Sequence, residues 1–370
     1  MCIVLLTTSH PKYALVVLDN RDEYILRPTS RPHWWTAKPE SQPSLLSTAT
    51  PIADVEVLSS RDLQRAEQGT WLGITKGGNF AVLTNYRETD TQDAAHPVHG
   101  KRSRGGMVTA WLGSDPAESA ESFVRRMLES GDVKGVGGFS LLCGKLRKAK
   151  GEKKLEPLAI ISNRSDHLEE VPWVCGQRNR VHGLSNAIYA EHNEETRETI
   201  WPKVRMGTDM LTTTVEVAVS DGLEEEALLD VLFKILDTDN FPDKHTIDLE
   251  EGIPLLKHSI FIPAIGSQEH EREMVAARQR GIIKPADHGA AAESLTEEAR
   301  PDDQPNGFQT GLYGTQRQTI LLVDWDGNVT YTERALWDEF GNPIARGEGD
   351  LTFKFKIEDW KHPDEKEENL

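Results

Sequence analysis

Cysteine is scarce. The chain has 370 residues and 3 cysteines, Cys2, Cys143 and Cys175, with no CxxC pair. That spacing suggests neither a zinc site nor a disulfide framework, and so small a number fits a reducing compartment. Positive charge is also short. Lys and Arg number 42 against 60 Asp and Glu, a formal net charge of -18. Such a surface repels phosphate backbones and anionic headgroups, so nucleic-acid binding is not expected. Long apolar runs are missing, and no segment approaches the roughly 18 apolar residues of a membrane span. The opening MCIVLLTTSHP lacks a basic n-region and the Arg-rich pattern of a transit peptide. The expectation is a soluble cytoplasmic protein with no membrane span. No phosphate loop, GxSxG, HExxH or dinucleotide fingerprint occurs. The acids Glu56, Asp62, Asp248, Glu250 and Glu251 have only His245 near any of them. One histidine is a poor metal signature, so these acids read as a solvated face, and no metal and no required cofactor are expected.

What is present is a strand-rich chain with helices in its middle. Cys2–Thr8 and Tyr13–Asp19 are apolar, β-branched runs on either side of His10-Pro11-Lys12, and read as a hairpin. Residues from Pro28 to about Pro51 are rich in Pro, Ser and Thr and read as surface loop, with Trp34 and Trp35 as loop anchors or a pocket lining. Trp71–Thr75 and Phe80–Tyr86 flank Gly77-Gly78, a second hairpin. Gly105–Leu112 and Pro116–Ser130 read as helices, Phe139–Leu146 and Leu158–Ser162 as strands, and Trp201–Leu211 and Glu224–Leu236 as amphipathic helices. His258–Pro263 is a strand candidate and Glu269–Arg280 is helix-prone. Thr319–Asp324 and Asn328–Thr332 form a hairpin through Trp325-Asp326-Gly327. Leu351–Ile357 alternates as LTFKFKI, an edge strand guarded by lysines. The pattern is one α+β domain over 1–360, of mostly antiparallel sheets with helices packed outside. A poorly ordered insertion is expected at about 266–308, and 361–370 is an acidic tail.

Cys2 is the sharpest chemical feature. Removal of Met1 would put an α-amine and a thiol on one residue. An amine titrating near 7.7–8.0 can take the thiol proton, the logic of an N-terminal nucleophile. The alternative is a small buried residue opening a core strand. Three polar clusters accompany it: Asn20-Arg21-Asp22-Glu23, Thr84-Asn85-Tyr86 and Gly183-Leu184-Ser185-Asn186-Ala187. Asn side chains are oxyanion donors, but Asn, Asp and Gly at strand ends are also ordinary turn residues.

Taken together, these clusters resemble the NRDE proteins, the transport and Golgi organisation protein 2 family. Met1-Cys2-Ile3, Asn20-Arg21-Asp22-Glu23 and Arg27-Pro28 carry the opening of the resemblance. Gly69-Thr70-Trp71-Leu72-Gly73-Ile74, Leu83-Thr84-Asn85-Tyr86, Ser103-Arg104-Gly105, Gly138-Phe139-Ser140-Leu141, Gly183–Ala187, Tyr313-Gly314-Thr315 and Gly327–Arg334 continue it in order. The resemblance implies a four-layer αββα sandwich of the N-terminal nucleophile hydrolase type. It implies links to Golgi organisation and protein secretion, with Golgi or mitochondrial association, and handling of a small ligand, haem or an acylated lipid. A more distant similarity to the cysteine acylases of the choloylglycine and penicillin V group makes Cys2, Arg21, Asp22, Asn85 and Asn186 the candidate catalytic set. That similarity implies a cysteine amidohydrolase or acyl-transfer enzyme as the alternative function. Adjacent residues of an extended strand face opposite ways, so Arg21 and Asp22 both reach Cys2 only if the strand ends or bulges between them. Asn20 and Glu23 are the substitutes. The family also commonly reads Tyr-Gly-Thr-Arg where this chain has Tyr313-Gly314-Thr315-Gln316-Arg317. The extra residue is expected to turn Arg317 to the other face.

Overall fold

The computed structural model describes residues 2–37, 54–65, 67–86, 104–134, 136–150, 153–193, 195–196, 198–242, 247–283 and 309–360. Thirteen strands among them form two antiparallel sheets. The six-stranded sheet has the order β10 (Val181–Leu184), β1 (Ile3–Thr7), β2 (Tyr13–Tyr24), β11 (Tyr313–Asp324), β12 (Asn328–Ala335), β13 (Asp350–Lys356). The seven-stranded sheet runs β3 (His33–Ala37), β4 (Val55–Ser59), β5 (Leu72–Thr75), β6 (Asn79–Asn85), β7 (Phe139–Lys145), β8 (Leu158–Ser162), β9 (Trp173–Val174).

Alternation along the strands builds the layers. Val4, Leu6, Leu15, Val17, Leu321 and Val323 meet Leu58, Ile74, Phe80, Val82, Leu142 and Ile160 between the sheets. The intervening residues Ile3, Leu5, Val16, Leu18, Ile320 and Leu322 face outward. There they pack on α3 (Pro202–Ser220) and α4 (Glu225–Leu236). On the other side Val57, Ala81, Leu83, Leu141 and Ile161 pack on α1 (Gly105–Leu112) and α2 (Ala120–Glu129). Helix, sheet, sheet, helix is therefore the layer order, an αββα sandwich as expected.

Local chemistry fixes the ends. Ser119 caps α2 by accepting the Ser122 amide, and Pro202 opens α3, where its missing N–H costs nothing. In the turn joining β11 to β12, Asp324 accepts the amides of Asp326 and Asn328, and Gly327 takes the left-handed φ of 81°.

Four expectations change. The Pro-rich stretch after Pro28 contains β3 rather than only loop. Trp34 lies edge-on to Phe355 and Trp35 donates to Ser59 Oγ, so the pair anchors a strand. His258–Pro263 is not a strand, because its polar groups bond outside any ladder: Phe261 N donates to Thr238 O and Ile262 N to Thr315 Oγ1. The expected insertion is ordered where it opens. After a short helix α5 (Leu249–Gly252), α6 (Gln268–Ile283) buries Met274 and Ala277. Arg278 of α6 donates to Gly341 O. Residues 284–308 and the tail 361–370 lie outside the described residues. Asp62 is not on a solvated face: it is buried and accepts two hydrogen bonds from Arg27, at 3.2 and 2.7 Å.

Candidate active site at the Cys2 end of the sheets

Cys2 lies just before β1, where Ile3 pairs with Asn20 of β2. It is buried, and its thiol donates weakly to the Asp22 carbonyl at 4.0 Å. The same carbonyl accepts the Tyr313 hydroxyl at 3.0 Å. Beyond β10, Ser185 Oγ donates to the Cys2 carbonyl at 2.8 Å and to Asn186 Oδ1 at 3.2 Å. This segment also ties the two sheets together. Thr84 of β6 donates to Ser185 O at 2.9 Å and Ser140 of β7 to Ala187 O at 3.2 Å. The Asn186 side-chain amide donates to the Asn85 carbonyl. Asn85 Oδ1 is buried with no hydrogen-bond partner among the described residues.

The polar end of β2 divides by alternation. Asp19 and Arg21 continue the inter-sheet face of Leu15 and Val17, while Asn20 and Asp22 continue the outer face of Val16 and Leu18. β2 runs unbroken through Tyr24, so Arg21 and Asp22 point to opposite sides. Arg21 donates to Ser60 Oγ at 2.9 Å and Thr29 Oγ1 at 3.3 Å, and its guanidinium lies 4.7 Å from the Trp71 ring centre. Asp22 Oδ1 accepts the Thr315 hydroxyl at 2.7 Å. The substitutes are engaged elsewhere: Asn20 donates to Leu236 O and Ile260 O, and Glu23 pairs with Arg27. The structure thus gathers Cys2, Asp22, Asn85 and Asn186, while the Arg21 guanidinium is held by other partners.

The irregularity lies in the partner strand. Thr315 pairs with Asp22 and Arg317 with Arg21, with a bulge at Gln316 between them. The bulge restores the phase that adjacent Thr and Arg would have, so the extra residue does not turn Arg317 over. Arg317 donates to the Gln316 and Trp337 carbonyls and lies 3.7 Å from Glu333.

Burial dominates the electrostatics. It pushes the Cys2 thiol up to about 12, and the Asp22 and Asp19 carboxylates push the same way. It raises Asp22 against the opposing pull of Lys203 and the Thr315 hydroxyl, and raises Asp19 to about 8. It lowers Arg104, which donates to Gly138 O, to about 10, and it lowers Lys203. Lys203 is a buried cation absent from the sequence candidates, and Arg104 enters there only within Ser103-Arg104-Gly105. Lys203 had a readable signal: it stands at i, i+4, i+8 with Gly207 and Leu211, a lysine on an apolar stripe. Among the described residues, no group of three or more His, Cys, Asp or Glu is arranged to hold a metal, and no helix is long and apolar enough to cross a membrane.

The model of the family described as Transport and Golgi organisation 2 matches residues 1–338. The chain belongs to that family. It is 27% identical over 347 residues to the human protein named Transport and Golgi organization protein 2 homolog, covering 92% of this chain and 94% of that one. It is 28% identical over 366 residues to the cattle protein of the same name, covering 97% and 100%. Among solved structures, penicillin V acylase from Agrobacterium tumefaciens aligns over 96% of this chain and 86% of its own, with 12% identity and a TM-score of 0.33.

Proposed function

We propose that this member of the Transport and Golgi organisation 2 family serves Golgi organisation and protein secretion by handling an acylated lipid at Cys2, through cysteine amidohydrolase or acyl-transfer chemistry. The observation that supports it is the convergence of Cys2, Asp22, Ser185, Asn186 and Asn85 where the ends of both sheets meet. With Met1 removed, the Cys2 α-amine takes the thiol proton and sulfur attacks the acyl carbonyl. The C–S bond forms as the bond to the leaving amine or thiol breaks, and the proton passes to that leaving group. Water then hydrolyses the thioester and releases the acid. Asp22 orders the amine together with Arg21, which must leave Ser60 and Thr29 to do so. Asn85 and Asn186 donate to the oxyanion once Asn186 releases the Asn85 carbonyl.

A second reading, a non-catalytic carrier of haem or acylated lipid, is favoured by the engagement of Arg21 with Ser60, Thr29 and Trp71. Haem suits the site less well than an acyl chain. Among the described residues, the site offers iron the Cys2 sulfur, whose thiolate form burial opposes, and the Tyr313 hydroxyl, which is engaged with the Asp22 carbonyl. The test is intact mass of the native protein, extraction of co-purifying lipid and haem, and turnover of acyl-amide and acyl-thioester lipids by wild type and Cys2→Ala. Removal of Met1 with Cys2-dependent turnover is expected. Retained Met1 overturns the catalytic reading, and lipid bound equally by Cys2→Ala without turnover supports the carrier.

A further inference from the structure

Charge is unevenly placed on this chain. The strand registers put Cys2 at one end of the sandwich and the β1–β2, β7–β8, β9–β10 and β11–β12 links at the other. The stretches 8–12, 146–157 and 175–180 supply three of those links. They hold eight Lys or Arg against only Glu152 and Glu156, on a chain whose net charge is -18. Asp324, Asp326, Glu358 and Asp359 lie at the same end and reduce its positive charge without cancelling it.

The cations gather round one tryptophan. Lys153 Nζ and the Arg178 guanidinium lie 5.3 and 5.2 Å from the centre of the Trp325 ring. Trp325 Nε1 donates to Pro11 O at 3.1 Å, and the Trp325 carbonyl accepts Trp360 Nε1 at 2.9 Å. Trp360 O in turn accepts the Lys148 amide at 3.1 Å, and Arg178 donates to His10 O at 3.4 Å. These bonds tie all three stretches to the same half-buried ring. Arg147, Lys148, Lys153, Arg178 and Arg180 all reach solvent, and none has a carboxylate partner among the described residues. On so acidic a surface an exposed lysine readily finds a carboxylate, as Lys134 does in Asp166 and Lys354 in Glu225. Here the cations are left open instead.

Open cations on a row of link tips, with an amphipathic indole among them, suit a broad anionic surface. A peptide partner would call for a groove or a free strand edge. Lys and Arg are drawn to an anionic bilayer within a Debye length, and an indole sits well at headgroup level. The chain's net charge opposes such contact for its surface as a whole, but contact is decided by the face presented. We propose that the end of the sandwich farthest from Cys2 docks on an anionic membrane surface, with Lys148, Lys153, Arg178 and Arg180 on lipid phosphates and carboxylates and Trp325 at headgroup level. The acidic remainder is repelled by the same surface, which turns the Cys2 end towards the aqueous phase. Docking at this end is independent of the chemistry at Cys2.

The test is sedimentation of the full chain with vesicles of phosphatidylcholine, with and without phosphatidylserine, and lysine acetylation read by mass spectrometry in each. Wild type is expected to bind only the vesicles that contain phosphatidylserine and to leave them in high salt. Lys148 and Lys153 should be protected from acetylation there. Lys234 and Lys257 should not, since they lie close in sequence to Leu236 and Ile260, whose carbonyls hold Asn20 near Cys2. Lys148→Gln, Lys153→Gln and Arg180→Gln combined are expected to weaken binding about a hundredfold. Lys234→Gln, Lys257→Gln and Arg272→Gln combined change the net charge equally and should leave binding unchanged. All six side chains reach solvent, and melting temperatures confirm that both triple variants fold. Failure of wild type to bind overturns the proposal, as does equal loss in the two variants or protection at Lys234 and Lys257 instead. Protection of Lys148 and Lys153 by polyglutamate with no vesicle binding makes the partner an acidic polypeptide and overturns it too.

Discussion

The two halves of β2 are buried alike and built from opposite materials. Tyr13–Leu18 is apolar, and its alternate residues fill the cores on both sides of the sheet. Asp19, Asn20, Arg21 and Asp22 are at most 4% exposed. Yet each of them carries polar atoms that water would otherwise solvate. Burial of the first half stabilises the fold by roughly 1.5–3 kcal/mol per large side chain. Burial of the second half leans on specific partners: the Leu236 and Ile260 carbonyls for Asn20, the Thr315 hydroxyl for Asp22, and Ser60, Thr29 and Trp71 for Arg21. The same alternation packs one half and wires the other, and the wired half is the one beside Cys2.

Substitutions in each half separate the two kinds of burial. Asp22→Ala removes a buried carboxylate that holds the Thr315 hydroxyl and balances nearby positive charge, and is expected to cost about 3–5 kcal/mol in denaturant unfolding. A cost under about 1 kcal/mol means that Asp22 does not hold the polar half together. Leu15→Ala removes a fully buried side chain from between the sheets and is expected to cost about 2–4 kcal/mol by the same measurement. If it costs more than Asp22→Ala, the ordering of the two halves is reversed.

Asp19 gives a pH test with a definite sign. Its carboxyl is raised from an ordinary 3.8 to about 8, so over that interval the folded chain keeps a proton that the unfolded chain has lost. The stability it contributes is present below 3.8 and falls as pH rises towards about 8. Asp19→Asn should therefore flatten the decline of melting temperature between those limits, and an unchanged slope excludes the protonated carboxyl. The smallest effect belongs to the edge. Lys354 and Glu225 pair at 2.8 Å with the lysine mostly exposed, so Lys354→Ala should cost under about 1 kcal/mol, less again in high salt.

Much of the architecture was legible because it rests on local pattern. The β1–β2, β5–β6 and β11–β12 pairs have turn residues between apolar runs, and α2 and α4 show their apolar faces in sequence. β3 was hidden by the prolines and serines around it, and β10 by glycine and asparagine that also read as a turn. α3 extends to Ser220, well beyond the Leu211 expected from sequence. Of the site, the sequence offered Cys2, Asp22, Asn85 and Asn186 as candidates, and alternation alone foretold that Arg21 and Asp22 diverge. Lys203 is legible only as a lysine on the apolar stripe of α3, and what it faces depends on which strands that helix covers. The sequence did not offer the direction of the Arg21 side chain, which is decided by Ser60 and Thr29 on a separate stretch of chain.

The bulge at Gln316 has a consequence for how the family's chains can vary. The Gln316 side chain occupies the Ile25 and Arg27 carbonyls just past the end of β2, and its backbone carbonyl accepts Leu336 N and the Arg317 guanidinium. The extra residue is thus taken up at one point, with only its side-chain Oε1 left without a partner among the described residues, and it resets the strand's phase there. Insertions feeding into Tyr313 can lengthen or shorten without rotating Arg317, Thr319 or the core residues beyond. Excising Gln316 should cost only its own bonds and leave both faces of β11 in place, a deletion silent to the pattern on either side of it.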